Sequence, residues 1–296
     1  MAGALGSDGN PLRVAIVGSG PSGFYATEAL FRSGKVVSVD MYDRLPTPFG
    51  LVRGGVAPDH PKIKQVNLVF DKIAKTSGFT FLGNVCIGVD LDVAALREAY
   101  HAVVFAYGAA TDRRLGIPGE DLPGNHTATE FVGWYNGHPD YCDHRFDLSA
   151  EAVAIIGQGN VAADLARILA TPVDALRKTD IAQHALDVLA SSCVRDIFVI
   201  GRRGPAQAKF TPAELRELGH IENCAVVVDP ADLILNPESE AEIATSQADT
   251  AKKNVEIFRA FAERKWDRAA RAIHFRFLET PCAIGGDGRV ATLRLA

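Results

Sequence analysis

Val14-Ala15-Ile16-Val17-Gly18-Ser19-Gly20-Pro21-Ser22-Gly23 runs four apolar residues straight into a glycine-punctuated turn, and Phe24-Tyr25-Ala26-Thr27-Glu28-Ala29-Leu30 follows as a helical segment. The pattern predicts strand, tight turn and helix. Gly18 lets the chain turn sharply, Gly20 lets backbone N–H groups approach a pyrophosphate, and Gly23 lets the helix lie close to the strand. The helix N-terminus then faces those phosphates with its partial positive charge. Glycine-rich turns occur in many proteins that bind no nucleotide. One placed between an apolar strand and a helix points to a dinucleotide cradle.

Working outward, the β-branched run Lys35-Val36-Val37-Ser38-Val39-Asp40-Met41-Tyr42-Asp43 predicts the second strand of a βαβ unit. Asp43 closes it, 20 residues beyond Gly23. A carboxylate at that position accepts hydrogen bonds from an adenosine ribose and repels a 2′-phosphate, which fits FAD or NAD and not NADP. A strand-end aspartate that merely caps a turn fits the same residue.

A second copy lies about 140 residues further on, where Ala152-Val153-Ala154-Ile155-Ile156 leads into Gly157-Gln158-Gly159-Asn160-Val161-Ala162. Two such units are far less probable by chance than one. The chain is therefore expected to be α/β with two Rossmann-like dinucleotide-binding domains. Its second unit differs where selectivity is decided: the strand Asp196 to Gly201 ends in Arg202-Arg203 where the first unit has an acid. Two guanidiniums there can fork onto a 2′-phosphate and stack on adenine, although a solvated basic pair in a loop has the same sequence.

Between and after these units the sequence sets further expectations. Residues 44–62 hold four prolines and three glycines, a fixed loop of the kind that carries function. Within it Pro58-Asp59-His60-Pro61 is either a rigid turn with a surface imidazole or a positioned group. A helix is expected over 62–75, strands over 79–82 and 85–89, a short helix over 94–100, and a buried strand over 102–108. Residues 108–126 suggest a crossing between domains. Thr211-Pro212-Ala213-Glu214 opens a helix with a threonine cap, and Glu214 can be no more than the acid of a capping box. From Lys252 to Arg276 eight Lys or Arg stand against Glu256, Glu263 and Asp267, either a docking face for an acidic partner or a solvated helix.

Bulk composition excludes several classes. The net charge of -5 gives no overall basic footprint for nucleic acid, and no apolar run reaches the length that spans a bilayer. Cys86, Cys142, Cys193, Cys224 and Cys282 lie far apart, with no CxxC and no histidines at metal spacing. That argues against a metal or iron–sulfur site and against a dithiol flavoenzyme. Residues 1–12 are expected to be a flexible tail, and the chain to be cytoplasmic.

Four stretches together resemble the adrenodoxin-reductase-like ferredoxin–NADP reductases, particularly their actinobacterial members. They are Val14 to Gly23, Leu45-Pro46-Thr47-Pro48-Phe49-Gly50-Leu51-Val52-Arg53 through Lys64, Gly157 to Ala162, and Gly201-Arg202-Arg203-Gly204-Pro205 with the helix after it. The resemblance covers about residues 13–296 and implies an FAD domain with an inserted NADP domain, here 13–110 and 111–296. It implies that Gly18, Gly20, Ser22, Gly23, Asp43, Leu51 and Ile87 hold FAD. Arg113, Gln158, Gly159, Asn160, Val161, Arg202, Arg203 and Glu214 would hold NADP. His60 and Glu217 match family positions near the flavin–nicotinamide junction. The basic stretch around Arg264, Lys265, Arg268 and Arg271 lies where the family binds its acidic ferredoxin. Family members continue into a glycine-rich segment that returns to the flavin, whereas this sequence stops at Leu293-Arg294-Leu295-Ala296, so that return is expected to be absent.

The implied activity is electron transfer between NADPH and a ferredoxin-type iron–sulfur protein, by hydride transfer to flavin and then single-electron steps. Such chemistry belongs to the cofactors, in keeping with a sequence that shows no nucleophile triad. Two alternatives stand beside it: a glutamate-synthase small-subunit-like electron donor, which usually carries a cysteine cluster that this chain lacks, and a truncated, non-catalytic nucleotide-binding protein.

Overall fold

The computed structural model describes residues 3–109, 111–245, 249–266 and 269–296. The chain separates into two compact units, Met1–Thr111 and Asp112–Ala296. In the first, β1 (Leu12–Val17) passes through the Gly18 turn into α1 (Pro21–Phe31), followed by β2 (Val37–Tyr42). Two short helices, α2 (Leu51–Gly54) and α3 (Pro61–Lys64), precede α4 (Asn67–Ala74). The unit closes with β3 (Phe79–Leu82), α5 (Val93–Ala99) and β4 (Ala102–Phe105). All its strands are parallel, in the order β3-β2-β1-β4.

That order explains the apolar run of β1. Alternate residues of a strand point to opposite faces. Val14 and Ile16 pack with Phe24 and Phe70 on one face, and Ala15 and Val17 with Tyr42 and Leu96 on the other. A central parallel strand covered on both faces has no solvent side, so its sequence is continuously apolar.

Three expectations are corrected in this unit. Residues 85–89 form a turn instead of a strand, with the Asp90 carboxylate accepting from the Cys86 N–H (2.7 Å) and the Gly88 N–H donating to Leu91. The strand expected over 102–108 ends at Phe105 and, among the described residues, lies at the sheet edge beside β1 alone. Phe105 is therefore 52% exposed, and Tyr107 beyond it 71%. Residues 3–10 of the expected tail make an ordered turn: the Gly6 N–H donates to Asn10, and the Gly6 carbonyl accepts from Val36.

The second unit starts with α6 (Ala128–Tyr135), whose Thr127 and Glu130 form a reciprocal capping box. β5 (Ala152–Ile156), α7 (Asn160–Ala170), α8 (Val173–Leu176), α9 (Gln183–Ala190) and β6 (Asp196–Ile200) make a βαβ unit with an inserted helical pair. Next come α10 (Pro212–Leu218), β7 (Cys224–Val228), α11 (Pro237–Ile243), α12 (Asp249–Glu263) and β8 (Arg271–Arg276). These strands form a parallel sheet ordered β5-β6-β8-β7. A separate antiparallel pair, β9 (Pro281–Gly285) and β10 (Thr292–Leu295), follows. The core beneath α12 is aromatic, with Phe210, Phe258, Phe275 and Phe277 meeting mostly edge to face. Two parallel sheets flanked by helices make this an α/β fold with two Rossmann-like units.

Candidate nucleotide sites

In the first turn the fold requires two of the three glycines, and the third differs from them. Gly18 has φ +107°, and a Cβ there would lie 2.5 Å from the Ala106 carbonyl oxygen. A Cβ on Gly23 would overlap the Gly18 carbonyl, so Gly23 permits the close helix–strand approach. At Gly20 φ is ordinary, and a Cβ would meet nothing within 4 Å. No protein atom demands that glycine. Its missing side chain leaves open space at the N-terminus of α1, which no side chain caps.

Asp43 is brought to this turn. Its carboxylate accepts from the Ser19 N–H (2.9 Å), the Ser19 hydroxyl and the Leu45 N–H (2.9 Å). Of the two roles open in the sequence, the turn-capping one is seen directly. Ser19, fully buried, is the residue sequence reasoning missed, although it stands inside the quoted motif. The proline-rich loop closes over the same turn. The Phe49 N–H donates to the Ser19 carbonyl (3.0 Å), and Gly50 lies so close to Gly20 that a Cβ would reach its Cα at 2.8 Å.

Leu51 follows at the start of α2, exposed. Ser22 sits in the first turn of α1. Ile87 is half-buried in the turn after β3, two residues beyond Val85, whose N–H donates to the Asp43 carbonyl (2.9 Å). His60, half-buried, stands at the N-cap of α3 behind the buried Ala57 and Pro58. The rigid turn of that segment is thus present.

The second turn repeats the logic with different partners. Gly157 has φ +134°, and at Gly159 a Cβ would again meet nothing within 4 Å. Both turns therefore carry an opening that one methyl group would fill, a shape that suits a diphosphate in each. Gln158 and Asn160 are tied down by the protein itself. Gln158 Nε2 donates to the Arg276 carbonyl (3.0 Å), and the Gln158 side chain lies across Gly201, where a Cβ would overlap it. Asn160 Oδ1 accepts from the Thr211 N–H (2.8 Å), fixing the start of α10 to the turn. These side chains shape the turn, and Val161 beside them is exposed.

Arg202 and Arg203 follow β6, both exposed. Neither makes an ion pair among the described residues. Arg113 is likewise exposed. Thr211 accepts from the Glu214 N–H as the capping pattern predicts, while the Glu214 carboxylate meets Arg167 Nη1 at 3.3 Å. Arg167 is only 4% exposed and also donates to Asp164 (2.6 Å), so a buried cation joins α7 to α10. The Asp164–Arg167 spacing of i,i+3 inside an otherwise apolar helix was the available sequence signal. Glu217 lies one turn after Glu214, exposed.

The basic stretch divides in two. Arg264 stacks over Trp266 (3.9 Å) and donates to the Gly219 carbonyl (2.8 Å), with Lys265 exposed beside it. Arg271, expected to serve docking, instead turns inward: its guanidinium donates to the carbonyls of Val194 (3.1 Å), Ala170 (3.2 Å) and Thr171 (3.4 Å). A strand-initial arginine beside the ends of neighbouring elements is spent on their orphan carbonyls. Arg268 lies outside the described residues. All five cysteines are free thiols, and among the described residues no helix is long and apolar enough to cross a membrane.

Two sheets that each end in a glycine turn opening a helix define a class. Residues 12–257 match the model of the pyridine nucleotide-disulphide oxidoreductases, and the chain belongs to that family. Within it the similarity is to the ferredoxin and adrenodoxin reductases. The chain is 47% identical over 287 residues to NADPH-ferredoxin reductase FprA of Mycobacterium leprae, which covers 95% of this chain and 62% of that protein. It is 48% identical over 276 residues to the mitochondrial NADPH:adrenodoxin oxidoreductase of Arabidopsis thaliana, covering 92% and 57%. The solved structure of Mycobacterium tuberculosis FprA in complex with NADPH superposes with a TM-score of 0.92 at 45% identity, over 97% of this chain and 63% of that one. The chain thus spans about three fifths of the length of the curated relatives it matches.

Proposed function

We propose that this chain carries the nucleotide-binding part of an FAD-dependent ferredoxin–NADP+ reductase, which passes electrons between NADPH and a ferredoxin-type iron–sulfur protein. One observation carries the reading: two glycine turns of the same build end their second strands with opposite charge, Asp43 in one and Arg202-Arg203 in the other. The acid suits an adenosine ribose without a 2′-phosphate, and the arginines suit one with it. FAD then belongs to residues 13–110 and NADPH to residues 111–296. The named relatives, both NADPH reductases, support NADPH as one of the two nucleotides.

When bound, FAD supplies the acceptor for the nicotinamide hydride and the outlet for single electrons. The protein's part is to bind, orient and shield. Gly20 and Gly159 leave room for the two diphosphates, and α1 and α7 present uncapped N-termini to them. Ser22, Leu51 and Ile87 line the flavin site, and His60 positions a proton or a hydrogen bond there. Arg113 and Val161 border the nicotinamide nucleotide. Glu214, held by Arg167, and Glu217 on the same helix serve its nicotinamide end. Docking of the acidic iron–sulfur partner falls to Arg264 and Lys265.

Purified full chain should show a flavin absorbance band that bleaches on anaerobic NADPH addition and recovers on addition of oxidised ferredoxin. Protein that binds no flavin after reconstitution would sink the proposal.

A further inference from the structure

The backbone of Lys209 is built into the second glycine turn. Its N–H donates to the Gln158 carbonyl at 2.7 Å, and it forms a parallel bridge with Gly159. Bridged strands run about 4.8 Å apart, and the four-carbon stem of lysine carries its ammonium roughly 6 Å from Cα. The stem is therefore long enough to bring the charge to the space that a Gly159 side chain would have filled, where no Lys209 atom lies within 4 Å. Lys209 is exposed and has no ion-pair partner among the described residues. Lys209 and Glu242 both line a shallow cleft among residues 206–251, where the Glu242 carboxylate accepts from Gln207 Nε2 (2.6 Å).

We infer that Lys209 is a further cation for the nicotinamide dinucleotide, set on its diphosphate bridge. The inference rests on the assignment of NADPH to this unit and goes beyond it by dividing the anionic groups between cations. Arg202 and Arg203 lie past the end of β6, where the 2′-phosphate distinguishes NADP from NAD. Lys209 lies in register with Gly159, the turn position at which backbone approaches the diphosphate that both nucleotides share. A compact ammonium point charge suits a diphosphate oxygen, just as the planar fork of arginine suits a terminal phosphate. The side chain of Lys209 thus sets affinity without setting selectivity.

The test is calorimetric titration of NADP+ and of NAD+ into the full chain, comparing wild type with Lys209→Gln, Lys209→Arg and the Arg202→Ala/Arg203→Ala double variant. Lys209→Gln should weaken both nucleotides about tenfold, the loss typical of one charge-assisted contact, and leave their affinity ratio unchanged. Lys209→Arg should restore most of the binding. The double arginine variant should instead collapse the ratio. Unfolding midpoints should match throughout, because Lys209 reaches Gln158 through its backbone. The inference is overturned if Lys209→Gln binds both nucleotides as wild type does, or loses NADP+ alone. It is overturned also if a loss comes with a lowered midpoint that arginine does not repair. Wild-type protein that binds neither nucleotide overturns the NADPH assignment itself, a result separable from these.

Discussion

Gly18 and Gly20 stand two residues apart in one turn, and replacing each by alanine should break different things. At Gly18 the methyl group meets two penalties, a φ of +107° and a backbone oxygen at 2.5 Å. A non-glycine residue in such a conformation costs about 1–3 kcal/mol before any overlap is counted. Gly18→Ala should therefore lose about 2–4 kcal/mol of stability, lowering Tm by several degrees in a unit of this size. At Gly20 the backbone (φ -79°, ψ -176°) suits alanine, and a Cβ meets no atom within 4 Å. Gly20→Ala should change stability by less than about 1 kcal/mol, the small cost of exchanging an N-cap glycine. The methyl group instead occupies the space assigned to the flavin diphosphate, so flavin affinity should fall at least about tenfold. The assay is urea unfolding of the apoprotein beside fluorescence titration with FAD. Equal destabilisation by both variants, or wild-type flavin binding by Gly20→Ala, would refute the division between a fold glycine and a cofactor glycine.

Other substitutions probe the second unit. Changing Arg202 and Arg203 together to alanine should raise the KM for NADPH by about a hundredfold and that for NADH only a few-fold, since two charge-assisted bonds to the 2′-phosphate are lost; equal losses in steady-state assays would remove them from that role. Arg167→Met leaves Asp164 and Glu214 without their shared cation and should cost about 3–5 kcal/mol in chemical denaturation; a stability within 1 kcal/mol of wild type would show, on the same scale, that the buried charge is dispensable. Arg271→Ala should destabilise by about 1–3 kcal/mol without altering the salt dependence of ferredoxin reduction. Lys265→Glu should do the reverse, slowing reduction and flattening its salt profile at unchanged Tm.

Much of the fold was legible because its signals are local. The apolar runs of β1 and β5, the glycine turns behind them and the Thr211-Pro212 helix start are each decided within about ten residues, and each stands where the sequence put it. What misled was context supplied from elsewhere in the sheet. Residues 102–108 are as apolar as a central strand, yet among the described residues β4 has a neighbour on one side only, and Phe105 is exposed. Val85 to Val89 is β-branched at both ends, but Asp90 captures the Cys86 N–H and closes a turn.

In the site, the glycines were readable one by one, whereas the partners of polar side chains were not. Nothing near Arg271 in sequence reveals the carbonyls of Ala170, Thr171 and Val194, and nothing near Arg167 reveals Glu214. Charge that looked available for a partner in one case was already committed to the chain. In the other, an ordinary helix residue proved to be the tie between two helices.

The carboxylate of Asp43 has a consequence for how nucleotide preference can drift. Ser19 and Leu45 already hold both its oxygens, so the residue that would read the ribose is also the one that keeps the turn in shape. Any exchange there must rebuild the turn before it can favour another nucleotide, and single mutations cross that gap poorly. Arg202 and Arg203 carry no such duty; their side chains extend from a strand end that Gln158 and Gly201 secure without them. The two halves of one chain are thus unequal in evolutionary terms: the first has a fixed appetite, while the second can change its diet one codon at a time.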